Sequence, residues 1–260
     1  MSKTVPEYPT AKDLLAGKTV LITAAAGTGI GFSAARRCTE EGATVMISDL
    51  HERRLGEAAD EIERLCGRRP ATQLASVTDQ TQVDALVEAA IGALGHIDVL
   101  INNAGLGGTA NVVDMTDEQW AAILDVTLTG TFRMSRAVLG HMYEREQGAI
   151  VNNASVLAWR AQAGQSAYAA AKAGVGALTR STAIEAAEHG VRVNAVSPSL
   201  AMHKFLSKAI PQDTLDELVE LEAFKRSAET WEVANVMVFL ASDYASYMTG
   251  EVIAVSSQHP

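Results

Sequence analysis

Tyr168 and Lys172 stand four residues apart in a 260-residue chain, in the run Tyr-Ala-Ala-Ala-Lys. On a helix four residues advance ~400°, so the two side chains lie only ~40° apart on one face. A lysine ammonium beside a phenol favours the phenolate, and a phenol that exchanges its proton near neutral pH is an acid/base group. Moving a tyrosine from ~10 to near 7 needs ~4 kcal/mol, which calls for a dehydrated site with added positive charge. Ser155, just after an apolar run, carries a hydroxyl able to bond the same substrate oxygen. Chance alone gives a Tyr-x-x-x-Lys pair in roughly one chain of this composition in seven, so the pair needs context.

That context lies upstream. The β-branched run Thr19-Val20-Leu21-Ile22-Thr23 leads into Ala24-Ala25-Ala26-Gly27-Thr28-Gly29-Ile30-Gly31. Small residues let the backbone approach a pyrophosphate, and a following helix presents unpaired N–H groups to it. Gly29, Gly31 and Ala34 fit the G-x-G-x-x-[GA] spacing. Asp49 ends the next apolar run, 18 residues after Gly31. A carboxylate there accepts hydrogen bonds from the adenosine ribose hydroxyls and repels a 2′-phosphate. NAD is therefore favoured over NADP; Arg53 and Arg54 keep NADP as the lesser alternative unless they are solvated helix residues. Asn102-Asn103-Ala104-Gly105 closes a fourth run, and ligands bind beyond such carboxyl ends of strands.

The elements that must position these residues read from apolar runs alternating with helical patterns. The runs are Thr19–Thr23, Thr44–Ser48, Thr72–Val77, Ile97–Asn102, Gly148–Asn152, Val191–Val196 and Val252–Val255. Helical stretches cover Gly31–Glu41, Arg53–Leu65, Thr81–Leu94, Asp117–Tyr143, Tyr168–Ala187 and Thr230–Ala241, with Asp79 or Thr81 and Thr230 as N-caps. Continuous apolar strands separated by helices mean a parallel sheet covered on both faces. The expectation is an α/β, doubly wound, single-domain fold with about seven parallel strands. Residues 1–16 form an N-terminal extension, and 17–260 the dinucleotide-binding domain with a substrate lid at about 199–226.

Composition narrows the partners. Lys+Arg number 21 against 31 Asp+Glu, a net charge of −10, which argues against nucleic acid. Hydrophobic residues at 48% and charged ones at 20% exclude a disordered chain, and 5% aromatics leave the core to Ala, Val, Ile and Leu. Cys38 and Cys66 have neither zinc nor CxxC spacing and read as reduced structural residues. No His/Asp/Glu/Cys cluster has metal-ligand spacing, so no metal is expected. The longest uncharged run, Thr19 to Ala35, is broken by glycines, which excludes a membrane span. Met1 to Leu15 lacks the apolar core of a signal peptide, so a cytoplasmic location is expected.

Over Gly17 to Val255 the chain resembles the short-chain dehydrogenase/reductase family. The matches are Thr23…Gly29-Ile30-Gly31, Asp49, Asn102-Asn103-Ala104-Gly105, Ser155, Tyr168-x-x-x-Lys172, Asn194 and Pro198. The resemblance implies a Rossmann fold and nicotinamide-dependent interconversion of an alcohol and a ketone. It makes Tyr168 the acid/base, gives Ser155 the substrate oxygen, and has Lys172 hold the nicotinamide ribose while lowering the tyrosine's pKa. It also implies a cofactor site made by Gly27, Thr28, Gly29, Ile30, Asp49, Leu50, Ser76, Val77, Asn103, Ala104, Gly105, Tyr168, Lys172, Pro198 and Ala201. A homotetramer is implied too, with Asp117–Tyr143 and Tyr168–Ala187 as interface helices.

Departures from the family pattern are informative. The usual Thr-Gly-x-x-x-Gly-x-Gly is one residue longer here and has three alanines after Thr23, with Gly27 available for the bend. An adenine-contacting Asp-Val is replaced by Ser76-Val77. A catalytic Asn is replaced by Thr127, either a hydroxyl holding a relay water or a plain helix residue. His203 stands where a carboxamide-binding Thr is usual, and Ser256-Ser257-Gln258 replaces Asp-Gly-Gly. These variants, with Asn152-Asn153-Ala154-Ser155-Val156-Leu157 and the terminal Gln258-His259-Pro260, are similar to bacterial dehydrogenases of steroid C/D-ring catabolism. That subgroup acts on hydroxylated hydrindane carboxyl-CoA thioesters.

Substrate selection is expected in Val156–Ala167 and Ser199–Arg226. Trp159, Arg160, Gln165, His203, Lys204 and Phe205 are the candidate contacts, and Lys204, Lys208, Lys225 and Arg226 would meet CoA phosphates. The same residues also suit an ordinary helix pair at a subunit boundary. Two other functions stay open at this point: a 3-oxoacyl-ACP or acyl-CoA reductase, to which Asp49 is adverse, and a dinucleotide-sensing protein without catalysis.

Overall fold

The inner strands of the main sheet are largely β-branched or aliphatic and buried on both sides, while the two edge strands are only partly covered. β1 (Thr19–Thr23), β2 (Thr44–Asp49), β3 (Ala71–Leu74), β4 (Val99–Asn102), β5 (Gly148–Asn153), β6 (Val191–Pro198) and β9 (Val252–Val255) pair in parallel in the order β3-β2-β1-β4-β5-β6-β9. The computed structural model describes residues 4–203 and 212–257. Alternate side chains of one strand serve opposite faces. Val20 and Ile22 join Val45, Ile47, Val99 and Ile101 on one face, and Leu21 joins Met46, Leu100 and Ile150 on the other.

The first face is covered by α1 (Ile30–Glu40), α2 (Glu52–Cys66) and α8 (Thr230–Ala241), and the second by α3 (Gln80–Leu94), α5 (Gly130–Glu144) and α6 (Ser166–Ala187). Cys38 is fully buried in α1, and desolvation pushes its thiol up to about 12, which makes it inert. Two short strands, β7 (Ala201–Met202) and β8 (Ala228–Glu229), pair in parallel and bracket α7 (Gln212–Leu221). Among the described residues of the expected substrate lid, Ala201–Met202 is a strand and Gln212–Leu221 a helix.

Three expectations are corrected. The stretch Asp117–Tyr143 is not one helix: α4 (Asp117–Leu124) passes through a π-turn at Asp125–Thr129 into α5. The wider turn makes room for contact: a Cβ on Gly130 would meet Val77 Cγ2 at 2.6 Å. The N-cap of α8 is Glu229, in a reciprocal capping box with Glu232, while Thr230 turns inward to bond Ser33 (2.7 Å). The third strand stops at Leu74, because Ser76 folds into a turn through its hydroxyl contact with Thr78. Asp79 is the cap of α3, accepting from Thr81 and Gln82.

The N-terminal segment is strapped to α1. Arg37 and Glu41 are buried and paired at 2.5 Å, and Glu41 also accepts from the Lys12 and Leu14 backbone N–H groups. Tyr8 donates to Glu40 and packs edge-on against Trp231 of α8. Among the described residues no helix is long and apolar enough to cross a membrane.

Candidate active site

The strand order reverses between β1 and β4, and the loops after these two strands are stitched together. The Thr23 hydroxyl accepts from the Asn103 N–H (3.0 Å) and the Ala104 N–H (3.2 Å), while Asn103 Nδ2 donates to the Ala24 carbonyl (2.9 Å). The turn bends at two places: Ala24 with φ +51° and Gly27 with φ +92°. Gly27 is therefore only half of the bend, and a non-glycine residue carries the other half.

The two glycines of the spacing motif do different things. On Gly31 a Cβ would collide with the Ala24 carbonyl oxygen and Asn103 Nδ2, both at 2.4 Å, so Gly31 serves the packing of the loops. Around Gly29 a Cβ would meet no protein atom within 4 Å, so its missing side chain leaves the approach to α1 clear. Gly29 is the N-cap of α1 and offers no side-chain cap, which leaves first-turn N–H groups for an anion. Thr28 and Ile30 flank it.

Asp49 ends β2 beside this turn. Its carboxylate accepts from the Ala26 N–H (3.1 Å) and the His51 N–H (3.2 Å). Each oxygen keeps a lone pair for a further donor. The exposed Leu50 follows it, and Arg53 is paired with Glu57 in solvent. Ser76 has its hydroxyl occupied by Thr78, and Val77 packs on the second core.

Ser155, Tyr168 and Lys172 meet beyond the ends of β4 and β5. Ser155 is buried at the start of a 3-10 turn, Val156–Ala158, and its Oγ accepts from the Leu157 N–H (3.2 Å). Its hydroxyl also hydrogen-bonds the Tyr168 phenol, a contact that lowers the phenol's pKa. Burial outweighs it and pushes Tyr168 up to about 12. Lys172 is 2% exposed, and desolvation holds its amine down at about 8. Its Nζ lies 5.5 Å from the Tyr168 ring centroid and donates to the Asn153 carbonyl. Inside the polypeptide, then, burial dominates the tyrosine, and the expected lowering requires further positive charge at the phenol.

Thr127 is fully buried in the π-turn. Its hydroxyl accepts from the Leu106 N–H (3.0 Å) and donates to the Leu106 carbonyl (3.3 Å). Thr127 is thus more than a plain helix residue: it fastens the loop after β4, and its hydroxyl keeps one lone pair that a water could use. A Cβ on Gly105 would sit 3.4 Å from Lys172 Nζ and 3.8 Å from Thr127 Oγ1, so this loop passes directly over the lysine.

Of the expected substrate contacts, Trp159 is 53% exposed and Gln165 Nε2 donates to Thr109 Oγ1 (3.0 Å). Arg160 Nη1 donates to Ser256 Oγ (3.2 Å). Pro198 ends β6, Ala201 is buried in β7, and burial lowers the pKa of His203. Lys204, Phe205 and Lys208 lie outside the described residues. Asn194 is structural, bridging the Met248 carbonyl and the Glu251 N–H.

Asn153 is the residue missed as a site residue. Its backbone carbonyl accepts from Lys172 and its Nδ2 donates to Asn103 Oδ1 (3.0 Å), so one residue joins the lysine to the loop that bonds the glycine turn. Its own Oδ1 is buried without a hydrogen-bond partner, a polar atom left over at the centre of the site. The repeated asparagines Asn102-Asn103 and Asn152-Asn153, at equivalent strand ends, were the available signal.

The family model described as Enoyl-(Acyl carrier protein) reductase, adh_short_C2, matches residues 24–257. The chain belongs to the short-chain dehydrogenase/reductase family. It is an oxidoreductase of this family, whose members use nicotinamide dinucleotides. A Mycobacterium tuberculosis relative, (5R,7aS)-5-hydroxy-7a-methyl-1-oxo-2,3,5,6,7,7a-hexahydro-1H-indene-carboxyl-CoA reductase, is 60% identical over 95% of both chains. A 3-oxoacyl-[acyl-carrier-protein] reductase of Thermotoga maritima is 38% identical over 93% of this chain and 97% of its own. The crystal structure of a short chain dehydrogenase from Mycobacterium smegmatis is 53% identical, covers 99% of both chains and superposes with a TM-score of 0.89. The open Gly29, the uncapped start of α1 and the half-satisfied Asp49 carboxylate fit a short-chain dehydrogenase's dinucleotide.

Proposed function

We propose that the protein interconverts a secondary alcohol and a ketone on a cyclic acyl-CoA of steroid-ring breakdown, with NAD(H) as cofactor and Tyr168 as acid/base. The observation that carries the chemistry is the meeting of Ser155, Tyr168 and the buried Lys172 beneath the Gly105 loop. When bound, the nicotinamide gives or takes a hydride. Tyr168 passes its proton to the carbonyl oxygen in reduction, or takes it from the alcohol in oxidation. Ser155 holds that oxygen through its hydroxyl, whose acceptor side is already turned to Leu157. Lys172 adds positive charge below the phenol and reaches the ribose, and the lowering of the tyrosine from about 12 is completed by charge on the oxidised ring.

Gly27 to Ile30 would hold the pyrophosphate, Asp49 the adenosine ribose, Leu50, Ser76 and Val77 the adenine edge, and Asn103 to Gly105 with Pro198 and Ala201 the nicotinamide end. Asp49 supports NAD, since its carboxylate opposes a 2′-phosphate. The substrate class rests on the 60% identity to the indene-carboxyl-CoA reductase, with Trp159, Arg160, Gln165 and His203 on the substrate wall and residues 199–226 as its cover. Exposed Val113, Trp120, Phe132 and Ile184 agree with further burial in a homotetramer. Light scattering tests that assembly: a monomeric mass overturns it.

The T. maritima relative and the family description support a second reading, reduction of linear 3-oxoacyl thioesters. One panel separates the two. Purified protein is offered hydrindanone carboxyl-CoA thioesters and acetoacetyl thioesters with NADH and with NADPH. Preference for the bicyclic thioester and NADH is expected; equal turnover of linear thioesters removes the steroid-ring reading. Tyr168→Phe is expected to cost about 10²–10⁴ in turnover, and a loss of only a few-fold overturns its role.

A further inference from the structure

β9 ends at Val255, whose carbonyl accepts from the Ser199 N–H (3.1 Å), so the chain leaves the sheet beside the end of β6. The next two residues reach two different segments, the one after Ser155 and the exit of α7. Ser256 Oγ accepts from Arg160 Nη1 (3.2 Å), on the segment that follows Ser155. Ser257 binds the exit of α7 twice: its Oγ donates to Glu222 Oε2 (2.7 Å), and its carbonyl accepts from the Ala223 N–H (2.8 Å).

Glu222 is a carboxylate with 1% exposure, and its second oxygen accepts from the Leu200 N–H (3.4 Å). Leu200 in turn accepts from the Ala228 N–H (2.8 Å), immediately before β7 and β8 pair. One buried carboxylate therefore ties the corner after β6, the exit of α7 and the C-terminal tail into a single knot. A buried charge leans heavily on each donor it has, and here the shortest is a serine hydroxyl.

We propose that Ser257 is a positioning residue for the substrate wall. Acting through Glu222, it fixes α7 against the Leu200 corner, while Ser256 ties the Arg160 segment to the same tail. The two segments proposed to face the substrate are thereby held at one spacing by a strand end whose hydrogen bonds run to Arg160, Ser199, Glu222 and Ala223. This inference rests on the proposed reading of that cleft as the substrate side. It assigns Ser257 an effect on bulky substrates and none on the chemical step.

The test compares wild type, Ser257→Ala and Ser257→Thr. Kinetics are measured with a hydrindanone carboxyl-CoA thioester and with cyclohexanone, and amide hydrogen exchange is followed over residues 212–223. Losing a hydroxyl donor to a buried carboxylate is expected to raise KM for the bulky thioester about ten-fold in Ser257→Ala. The kcat for both ketones and the Kd for NADH are expected to stay within two-fold, exchange in 212–223 to accelerate, and Ser257→Thr to restore both readouts. Equal losses on the two ketones, a fall in kcat, or unchanged exchange overturns the proposal. Exchange reads the knot even where wild type ignores the bicyclic thioester, so failure of the substrate assignment and failure of the knot are distinguishable.

Discussion

Lys172 is costly where it stands. Burial holds its amine at about 8, below the 10.5 of a free side chain. The unfolded chain keeps this proton to about pH 10.5 while the native state releases it near 8, so this group makes the protein more stable as pH rises through that interval. Tyr168, held up at about 12, works in the opposite sense, but only above its ordinary 10. Lys172→Met is therefore expected to be more stable than wild type at pH 7 by at most ~3 kcal/mol, less the lost bond to Asn153. The difference should shrink toward pH 10 while turnover collapses; melts at pH 7, 9 and 10 check it, and a pH-independent difference contradicts it. Ala24 stores a smaller strain at φ +51°, a conformation that disfavours a Cβ. Ala24→Gly is expected to stabilise by about 0.5–1 kcal/mol in urea melts, reduced by the greater freedom of glycine in the unfolded chain.

At the scale of elements, the π-turn at Asp125–Thr129 decides how tightly the loop after β4 is held. Thr127→Val removes both bonds to Leu106 and leaves its N–H and carbonyl unsatisfied. The expected result is about ten-fold weaker dinucleotide binding by calorimetry, with Thr127→Ser close to wild type. Unchanged binding in Thr127→Val would mean that the Leu106 clamp has no bearing on the cofactor. The inner strands were legible as continuous apolar runs buried on both sides, and most helices by the period of their one buried face. The π-turn was not, since a single wide turn leaves no mark in the hydrophobic pattern. Thr230 looked like a cap by type, yet Ser33 claims its hydroxyl from another helix. In the site, Tyr168, Lys172 and Ser155 were legible from spacing, whereas Asn153 acts through contacts 19 and 50 residues away that no local pattern reports.

At the scale of the molecule, both ends of the chain serve as fasteners. The N-terminal strap depends on Arg37, which bridges Glu40, Glu41 and Asn235 of α8. Arg37→Ala leaves the buried Glu41 without its cation and is expected to cost about 3 kcal/mol in urea denaturation. A loss under 1 kcal/mol would mean that the Lys12 and Leu14 N–H groups suffice to hold it. The Asp49 carboxylate, bonded to the Ala26 N–H, is a fastener of another kind, since one oxygen holds the turn. On the proposed reading of Asp49 as the ribose partner, replacing this carboxylate would change the coenzyme site and release the Ala26 N–H in one step.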